Sequence, residues 1–476
     1  MPSENREIGG RGATPHRGKL SIVGIGPGPA ALRTKAASSA ILSADCVVGY
    51  RPYLELISDL LPGKAVYSSG MGREVERVKA AVDLMERGSV ALVSSGDANV
   101  YGMAGLGLEM APRPEDVEVI AGVTSFTAAA CRAGLFFKER VAAVSLSNLL
   151  TPWPDIEARL RLAGEMNMPV ALYNPRSRKR DWQLLRALEL LGSRDVLIAR
   201  NVGREGEEIF WSTTEKLAKE EGLRERIDMF TLLILSGRGA FLGRATAGQA
   251  ALNLVGIGPG NPDGLTFEAE EALRSCDKIF GANRYLDLIA GCSPAEKVAH
   301  SGPFPERMAA RMAEAQAVAR TGGLACILTG GDPSIFSSGW RIMDGATTPV
   351  HICPGVSAFS TVAARAGAPL VNDFALLSSP CEEAARLAAA GYALAVYNVR
   401  GEEISPLLQG VDPNRPVALA QDVARNGESI LVLSAGDLLA ARPSGHRFTL
   451  LLASKNSHIR EGRIITKRGY DSKYSY

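Results

Sequence analysis

The sequence predicts an α/β protein made of two tandem units, each of two α/β subdomains with a cleft between them. Three observations predict it. The chain has 476 residues, too many for one ordinary core. It repeats itself at the scale of a whole domain pair. Inside each copy, short apolar β-branched runs alternate with amphipathic stretches.

The repeat is the strongest of the three. LSIVGIGPGPAALRT at Leu20 to Thr34 recurs as LNLVGIGPGNPDGLT at Leu252 to Thr266, and the register that sets Gly24 over Gly256 also sets GYRPYLELI from Gly49 over GANRYLDLI from Gly281. In the same order follow the loops around Asp97 and Asp332, GVTSFTAAACRAG from Gly122 with GVSAFSTVAARAG from Gly355, ALYNPRS from Ala171 with AVYNVRG from Ala395, and FTLLILSGRG from Phe230 with FTLLLASKNS from Phe448. This divides the chain into a disordered tail over 1–18, a first unit over 19–240, a linker over 241–251, a second unit over 252–470 and a tail over 471–476. A period this long is that of whole domains and excludes a solenoid. The runs Leu20 to Ile25, Val90 to Ser94 and Val170 to Tyr173 predict largely parallel, buried strands, and Val75 to Arg87 and Trp182 to Leu191 predict helices. Halfway through each unit a Gly-Val-Thr/Ser turn leads into an Ala-rich helix, Thr124 to Ala133 and Ser357 to Ala366, where the two subdomains of a unit should divide.

Composition excludes several classes. With 46% hydrophobic and 22% charged residues and a formal charge of +2, nothing calls for nucleic acid or a membrane surface. No window reaches the roughly 18 apolar residues of a membrane span, and the first residues lack an apolar signal core, so a cytoplasmic protein is expected. The seven cysteines are scattered without a C-x-x-C pair, so reduced thiols are expected and a metal centre or disulfide framework is not.

The chemistry concentrates in three places. Each first strand runs into Gly-x-Gly-Pro-Gly: Gly24, Gly26, Pro27 and Gly28, then Gly256, Gly258, Pro259 and Gly260. Glycine lets a ligand approach the main chain, proline stiffens the turn, and a nucleoside-type ligand is expected there. The prolines interrupt any dinucleotide fingerprint. Next, strands end in Gly96-Asp97 and Gly331-Asp332, and a carboxylate at the end of a parallel strand faces the ligand crevice of an open α/β sheet; it could instead form an Asx-turn. Third, Thr124, Ser125 and Ser357 place hydroxyls at helix starts, where N-capping is the default and ligand contact would be an addition.

Together, G-x-G-P-G, the G-D loop, the G-V-[ST] turn and the Y-N segment resemble the tetrapyrrole (class III) methylases, over nearly all of the chain twice. Within that family VSLSNLLTPW at Val144 to Trp153, ALYNPRSRKR at Ala171 to Arg180, ARNVGR at Ala199 to Arg204 and ASKNSHIREGRIITKRGY at Ala453 to Tyr470 resemble the precorrin-3B C-17 methyltransferase type. The resemblance implies S-adenosylmethionine held in the cleft, with Gly26, Pro27, Gly28, Gly96, Asp97, Val100, Tyr101, Thr124, Ser125, Tyr173 and Asn174 contacting it in the first unit, and Gly258, Pro259, Asp332 and Ser357 in the second. It implies a corrin precursor as substrate, methylated at C-17 with expulsion of the C-20 meso carbon, and no resident metal. Substrate carboxylates suit the forks of Arg176, Arg178, Lys179, Arg180, Arg200 and Arg204, with Arg176 the strongest candidate. Ser145, Ser147 and Thr151 are the substrate-facing hydroxyls for the proton transfers that ring contraction needs.

The halves depart from the pattern unequally. The first has Ala98 where the loop normally carries proline; the second keeps Gly-Asp-Pro but has Val399 and Gly401 in place of the proline and serine of N-P-R-S, and only LLSSP at Leu376 to Pro380. The expectation is that the first half methylates and the second supplies the contact a single-copy relative obtains from another subunit, an internal pseudo-dimer that could pair again as a homodimer. The rivals are a second methyl transfer by the second half, or a non-catalytic tetrapyrrole-binding protein.

Overall fold

The computed structural model describes residues 18–474 apart from 178, 179, 247 and 249; the expected tail over 1–18 therefore lies almost wholly outside the described residues, as do Arg178 and Lys179. Each half opens with a five-stranded parallel sheet. In the first the order is Ala65–Ser69, Cys46–Tyr50, Val90–Ser94, Leu20–Gly24, Val117–Ile120; in the second it is Glu296–Ala299, Lys278–Gly281, Ala325–Thr329, Leu252–Gly256, Val350–Cys353. The two orders are the same when the repeats are aligned, so the duplication extends to topology. Helices such as Glu74–Met85 and Phe304–Arg320 cover these sheets with buried faces of Val78, Ala81 and Met85, and of Met308, Met312 and Ala315.

The remaining strands of both halves form one ten-stranded sheet. Its order is Glu208–Thr213, Asp195–Arg200, Thr231–Leu235, Val170–Tyr173, Arg140–Ser145, then Phe374–Leu377, Ala393–Val399, Phe448–Leu452, Pro416–Gln421, Ser429–Ser434. The expectation of largely parallel strands fails here. Only Arg140–Ser145 with Val170–Tyr173, and Phe374–Leu377 with Ala393–Val399, run parallel; the other neighbours are antiparallel. Apolar runs buried on both faces look alike in either direction, because direction is set by the connections rather than by the strand residues.

The halves join at the centre of this sheet. Arg140–Ser145 pairs antiparallel with Phe374–Leu377, and Ala142 lies opposite Ala375, its own equivalent in the repeat. Beneath them Phe126 stacks on its equivalent Phe359 at 6.4 Å between ring centroids. Self-pairing of equivalent residues marks an internal two-fold axis, the signature of an isologous contact. One apolar cluster runs through Leu172, Leu233, Leu394 and Leu450, so the halves share a core.

Each half also reaches across the axis. The segment 241–251, expected as a linker, begins inside a strand, Ala240–Leu242, paired with Leu135–Phe137, and continues to Ala245 alongside Val350 of the second half. Reciprocally, the hairpin Ser457–Arg460 and Arg463–Thr466 grips the first half: Arg460 donates to the carbonyls of Leu108 and Ala111, both at 2.8 Å, and Arg463 to that of Val117 at 3.2 Å. Among the described residues no helix is long and apolar enough to cross a membrane.

Candidate functional site

In each half the carboxyl ends of the first parallel sheet converge on the glycine turn. The Gly26 amide donates to the Gly96 carbonyl at 3.1 Å, and Gly96 returns the bond at 2.8 Å. Gly26 has φ +77°, and a Cβ on Gly28 would lie 2.2 Å from the Gly203 carbonyl, so these glycines serve the turn and the close approach of the two subdomains. Neither lines the cavity beside them; Pro27 does. The Asp97 side chain closes the arrangement. It is 1% exposed, and its two oxygens accept from the amides of Asn99 at 2.7 Å and Gly122 at 3.0 Å, tying two loops together. Burial pushes its carboxyl up to about 7 against those hydrogen bonds. The Asx-turn that was its alternative reading is therefore present, in a residue that also lines the cavity at the turn. Asp332 repeats the geometry with the amides of Ser334 at 2.9 Å and Gly355 at 3.2 Å, its carboxyl pushed up to about 6 by burial.

The cavity at this turn, about 240 Å³, gathers most of the cofactor candidates of the first half: Pro27, Gly96, Asp97, Val100, Tyr101, Thr124, Ser125, Tyr173 and Asn174. Thr124 caps its helix by accepting from the Thr127 amide, while Ser125 donates to the Tyr173 hydroxyl at 3.1 Å. Tyr101, Asn174 and Asn201 all line this cavity with φ between +50° and +52°. Such backbone costs roughly 1 to 3 kcal/mol each and persists where surrounding structure enforces it, often at a binding site. Their equivalents Phe336, Asn398 and Asp422 show the same φ sign.

A second cavity of about 410 Å³ abuts the first, and Tyr50, Tyr53, Ser95, Tyr101 and Asn174 line both. It holds all three proposed hydroxyls, Ser145, Ser147 and Thr151. Its polar remainder comes largely from the other half, with Asp373, Arg468, Tyr470 and Lys473, while the first half adds Glu74 and Arg77. Asp373 accepts from the Tyr101 hydroxyl and from the Ser145 amide, both at 2.9 Å, and pairs with Arg159 at 2.7 Å. Asn174 donates to the Ser145 hydroxyl at 3.0 Å.

The cations expected to receive substrate are mostly engaged elsewhere. Arg176 bonds Asp181 at 2.9 Å and the Arg224 carbonyl at 3.0 Å and lines neither cavity. Arg180 holds the Leu146 carbonyl at 2.9 Å, and Arg200 pairs with Asp228 at 3.0 Å. Arg204 lines the smaller cavity but acts as a clamp, donating to the Pro27 carbonyl at 2.6 Å and the Ser95 hydroxyl at 2.8 Å. Arg425 does the same for Pro259 at 2.9 Å. A cluster of arginines beside a Y-N-P turn satisfies nearby carbonyls and carboxylates first. Of the cations lining the larger cavity, Arg77 is likewise engaged, donating to the Ser69 hydroxyl at 2.9 Å and the Gly70 carbonyl at 3.0 Å, whereas Arg468 and Lys473 are distant in sequence and were missed.

In the second half Gly258 forms the turn and does not line the cleft, whereas Pro259, Asp332 and Ser357 line a cavity of about 630 Å³. Ser357 makes no side-chain cap, and its hydroxyl has no partner among the described residues. Ala358 stands where the first half has Ser125. One group of donor types escaped the sequence reading: Glu268, His351 and Cys353 bring ligand atoms within 4.8 Å of one another. Glu268 is already bonded to His351 at 2.6 Å and lies 3.5 Å from Arg132, so its carboxylate has partners within the protein.

Comparison with known proteins bears on this geometry. The family model for tetrapyrrole (corrin/porphyrin) methylases matches residues 19–218 and again 251–439. A probable cobalt-factor III C(17)-methyltransferase of Salmonella typhimurium is 41% identical over 232 residues, 47% of this chain and 94% of that protein. The cobalamin biosynthesis protein CbiHC of Archaeoglobus fulgidus is 40% identical over 228 residues, 46% of this chain and 50% of that one. A precorrin-3B C(17)-methyltransferase of a Sinorhizobium species is 36% identical over 230 residues, 46% and 88% respectively. Among solved structures, the methyltransferase CobJ covers 48% of this chain and 97% of its own, with 30% identity and a TM-score of 0.42.

Proposed function

The chain belongs to the tetrapyrrole (corrin/porphyrin) methylases, which it matches twice over, and from that premise we propose that its first half transfers a methyl group from S-adenosylmethionine to C-17 of a corrin precursor, with ring contraction, in cobalamin biosynthesis. The observation that carries this reading is the pair of adjoining cavities, one at the proline-stiffened turn and one lined by hydroxyls and cations, with Tyr101 and Asn174 in the shared wall. A group-transfer enzyme needs such abutting compartments, because holding donor and acceptor in line at about 3 to 3.5 Å can supply most of the rate.

The residues fit that cofactor. Gly96 lines the cavity with no side chain between main chain and ligand, while Ser95, Ser125 and Asn174 offer polar groups and Tyr53, Tyr101 and Tyr173 offer rings. When bound, S-adenosylmethionine supplies a methyl group on a sulfonium, a transfer that needs little acid–base help. The chain's residues do the rest. Arg468 and Lys473 receive substrate carboxylates, and Ser145, Ser147 and Thr151 face the macrocycle where ring contraction moves protons. Part of this site belongs to the second half, whose role includes completing the first half's substrate cavity.

The test is mass spectrometry of the product formed by the full chain from S-adenosylmethionine and a precorrin-3 substrate, with and without cobalt. One added methyl group is expected, on a contracted macrocycle from whose ring the meso carbon has been expelled. Cofactor binding without any methylated product would leave only a tetrapyrrole-binding role.

A further inference from the structure

Glu268, His351 and Cys353 lie at the seam between the halves, beside a cavity that shares no lining residue with those at the two glycine turns. His351 and Cys353 are two apart on the strand Val350–Cys353, and the strand period puts both on one face. Glu268 stands in the first turn of the helix Phe267–Ser275, which packs on that strand. The start of this helix is fixed to the end of the strand by the Thr266 hydroxyl, which donates to the Pro354 carbonyl at 3.3 Å. All three side chains are shielded: Cys353 is 0% exposed, His351 4% and the Glu268 side chain 14%. The imidazole is held between two oxygens, with Nδ1 3.2 Å from the Thr246 carbonyl and Nε2 2.6 Å from one Glu268 carboxylate oxygen. A neutral ring has a single N–H, so it satisfies one of these acceptors and turns a lone pair on the other. The second Glu268 oxygen is buried without a hydrogen-bond partner among the described residues. This corner therefore needs positive charge beyond what Arg132, 3.5 Å from the first oxygen, supplies.

We infer that Glu268, His351 and Cys353 bind one divalent transition-metal ion of the zinc type. A thiolate and an imidazole beside one carboxylate suit zinc rather than magnesium or calcium, which take oxygen ligands. The Thr246 carbonyl accepts the Nδ1 proton and leaves Nε2 as the ligand, which is how a metal-bound histidine is ordinarily oriented. The three donor atoms already lie within 4.8 Å of one another. Donors around one zinc ion stand roughly 3 to 4 Å apart, so the His351–Glu268 pair has only to open slightly. The ion takes the place of two protons, one on the Cys353 sulfur and one between His351 and Glu268, and both pass to solvent. Local charge is thereby unchanged, and Arg132 opposes the ion no more than it opposes the protons. The cavity, about 790 Å³ and lined by all three ligands with Ala31 and Glu207 of the first half, gives the ion a path in and room for a water as fourth ligand. Glu268 and His351 are 83 residues apart, so the spacing of the cysteines gave no sign of the site.

The test uses the full chain without an affinity tag, stripped with a chelator and titrated with cobalt(II) as the spectroscopic probe and zinc as its competitor. One cobalt per chain is expected, with a thiolate-to-metal charge-transfer band in the near ultraviolet that zinc abolishes. Cys353→Ala should remove the band, His351→Gln should weaken binding by at least about tenfold, and Cys292→Ala, which changes a thiol elsewhere in the same half, should leave both as they are. Zinc should raise the thermal midpoint of the parent and not that of Cys353→Ala, which separates loss of a ligand from loss of the fold. The proposal is overturned if the parent shows no charge-transfer band or if the band survives Cys353→Ala. Metal uptake that neither Cys353→Ala nor His351→Gln alters would be an adventitious ion only and would overturn it equally. None of these readouts involves methyl transfer, so this inference and the corrin reading fail independently.

Discussion

Asp373 of the second half accepts the hydroxyl hydrogen bond of Tyr101 of the first, at 2.9 Å, in the wall between the two cavities. The same carboxylate pairs with Arg159 and holds the Ser145 amide. Tyr101→Phe removes one of these bonds and spares the ion pair, so turnover should fall several-fold with the unfolding midpoint nearly unchanged. Asp373→Ala leaves the mostly buried Arg159 without its partner and should cost roughly 3 kcal/mol of stability as well as activity. Steady-state kinetics beside urea denaturation separates the two, and equal loss of stability in both variants would contradict the positioning role.

Arg468 lies 5.8 Å from the Tyr101 ring and lines the larger of the first half's two cavities, where the proposal seats the substrate. Its replacement by alanine should raise KM for the polycarboxylate substrate by about tenfold, with cofactor affinity by calorimetry held within about twofold. A KM that does not move would remove Arg468 from substrate recognition.

Asp97 gives stability a definite pH dependence. Its folded pKa of about 7 lies above the roughly 3.9 of an unfolded chain. Between those values the folded state binds a proton that the unfolded state lacks, so this contribution is fully present at low pH and is lost as pH rises through about 7. Asp332, at about 6, acts with the same sign over a narrower window. The stability difference between the parent and Asp97→Asn, from urea curves at pH 5 and pH 8, should therefore shift against the parent at the higher pH, by at most roughly 3 kcal/mol. A difference that is flat with pH would mean that Asp97 titrates near its ordinary value.

Residues 19–239 produced alone would expose the strand Arg140–Ser145 as a sheet edge and uncover Phe126. Such an edge invites strand pairing, so the fragment should aggregate or dimerise on size exclusion and lack activity. A monomeric, fully active fragment would show that the second half contributes nothing to the first half's site.

The repeat made much of this architecture legible. The glycine turns, the Asp97 and Asp332 loops and the helix starts at Thr124 and Ser357 were visible because each occurs twice in one register, and in the first half the structure gathers most of them around a single cavity. Arg176 misled because position after a strand does not reveal a nearby Asp181. Arg468 and Lys473 were invisible as site residues of the first half, because no local pattern announces that a tail crosses an internal axis. Strand direction in the central sheet failed for a related reason: the residues encode burial, and the connections encode direction.

The strand pairing of Ala142 with Ala375 has an evolutionary consequence. In an assembly of two identical subunits every amino-acid change is made twice, once on each side of the axis, so neither pocket can drift without its twin. Here the two sides are written separately in one gene, which frees Ser125 to stand opposite Ala358 and lets one pocket specialise while the other keeps its chemistry.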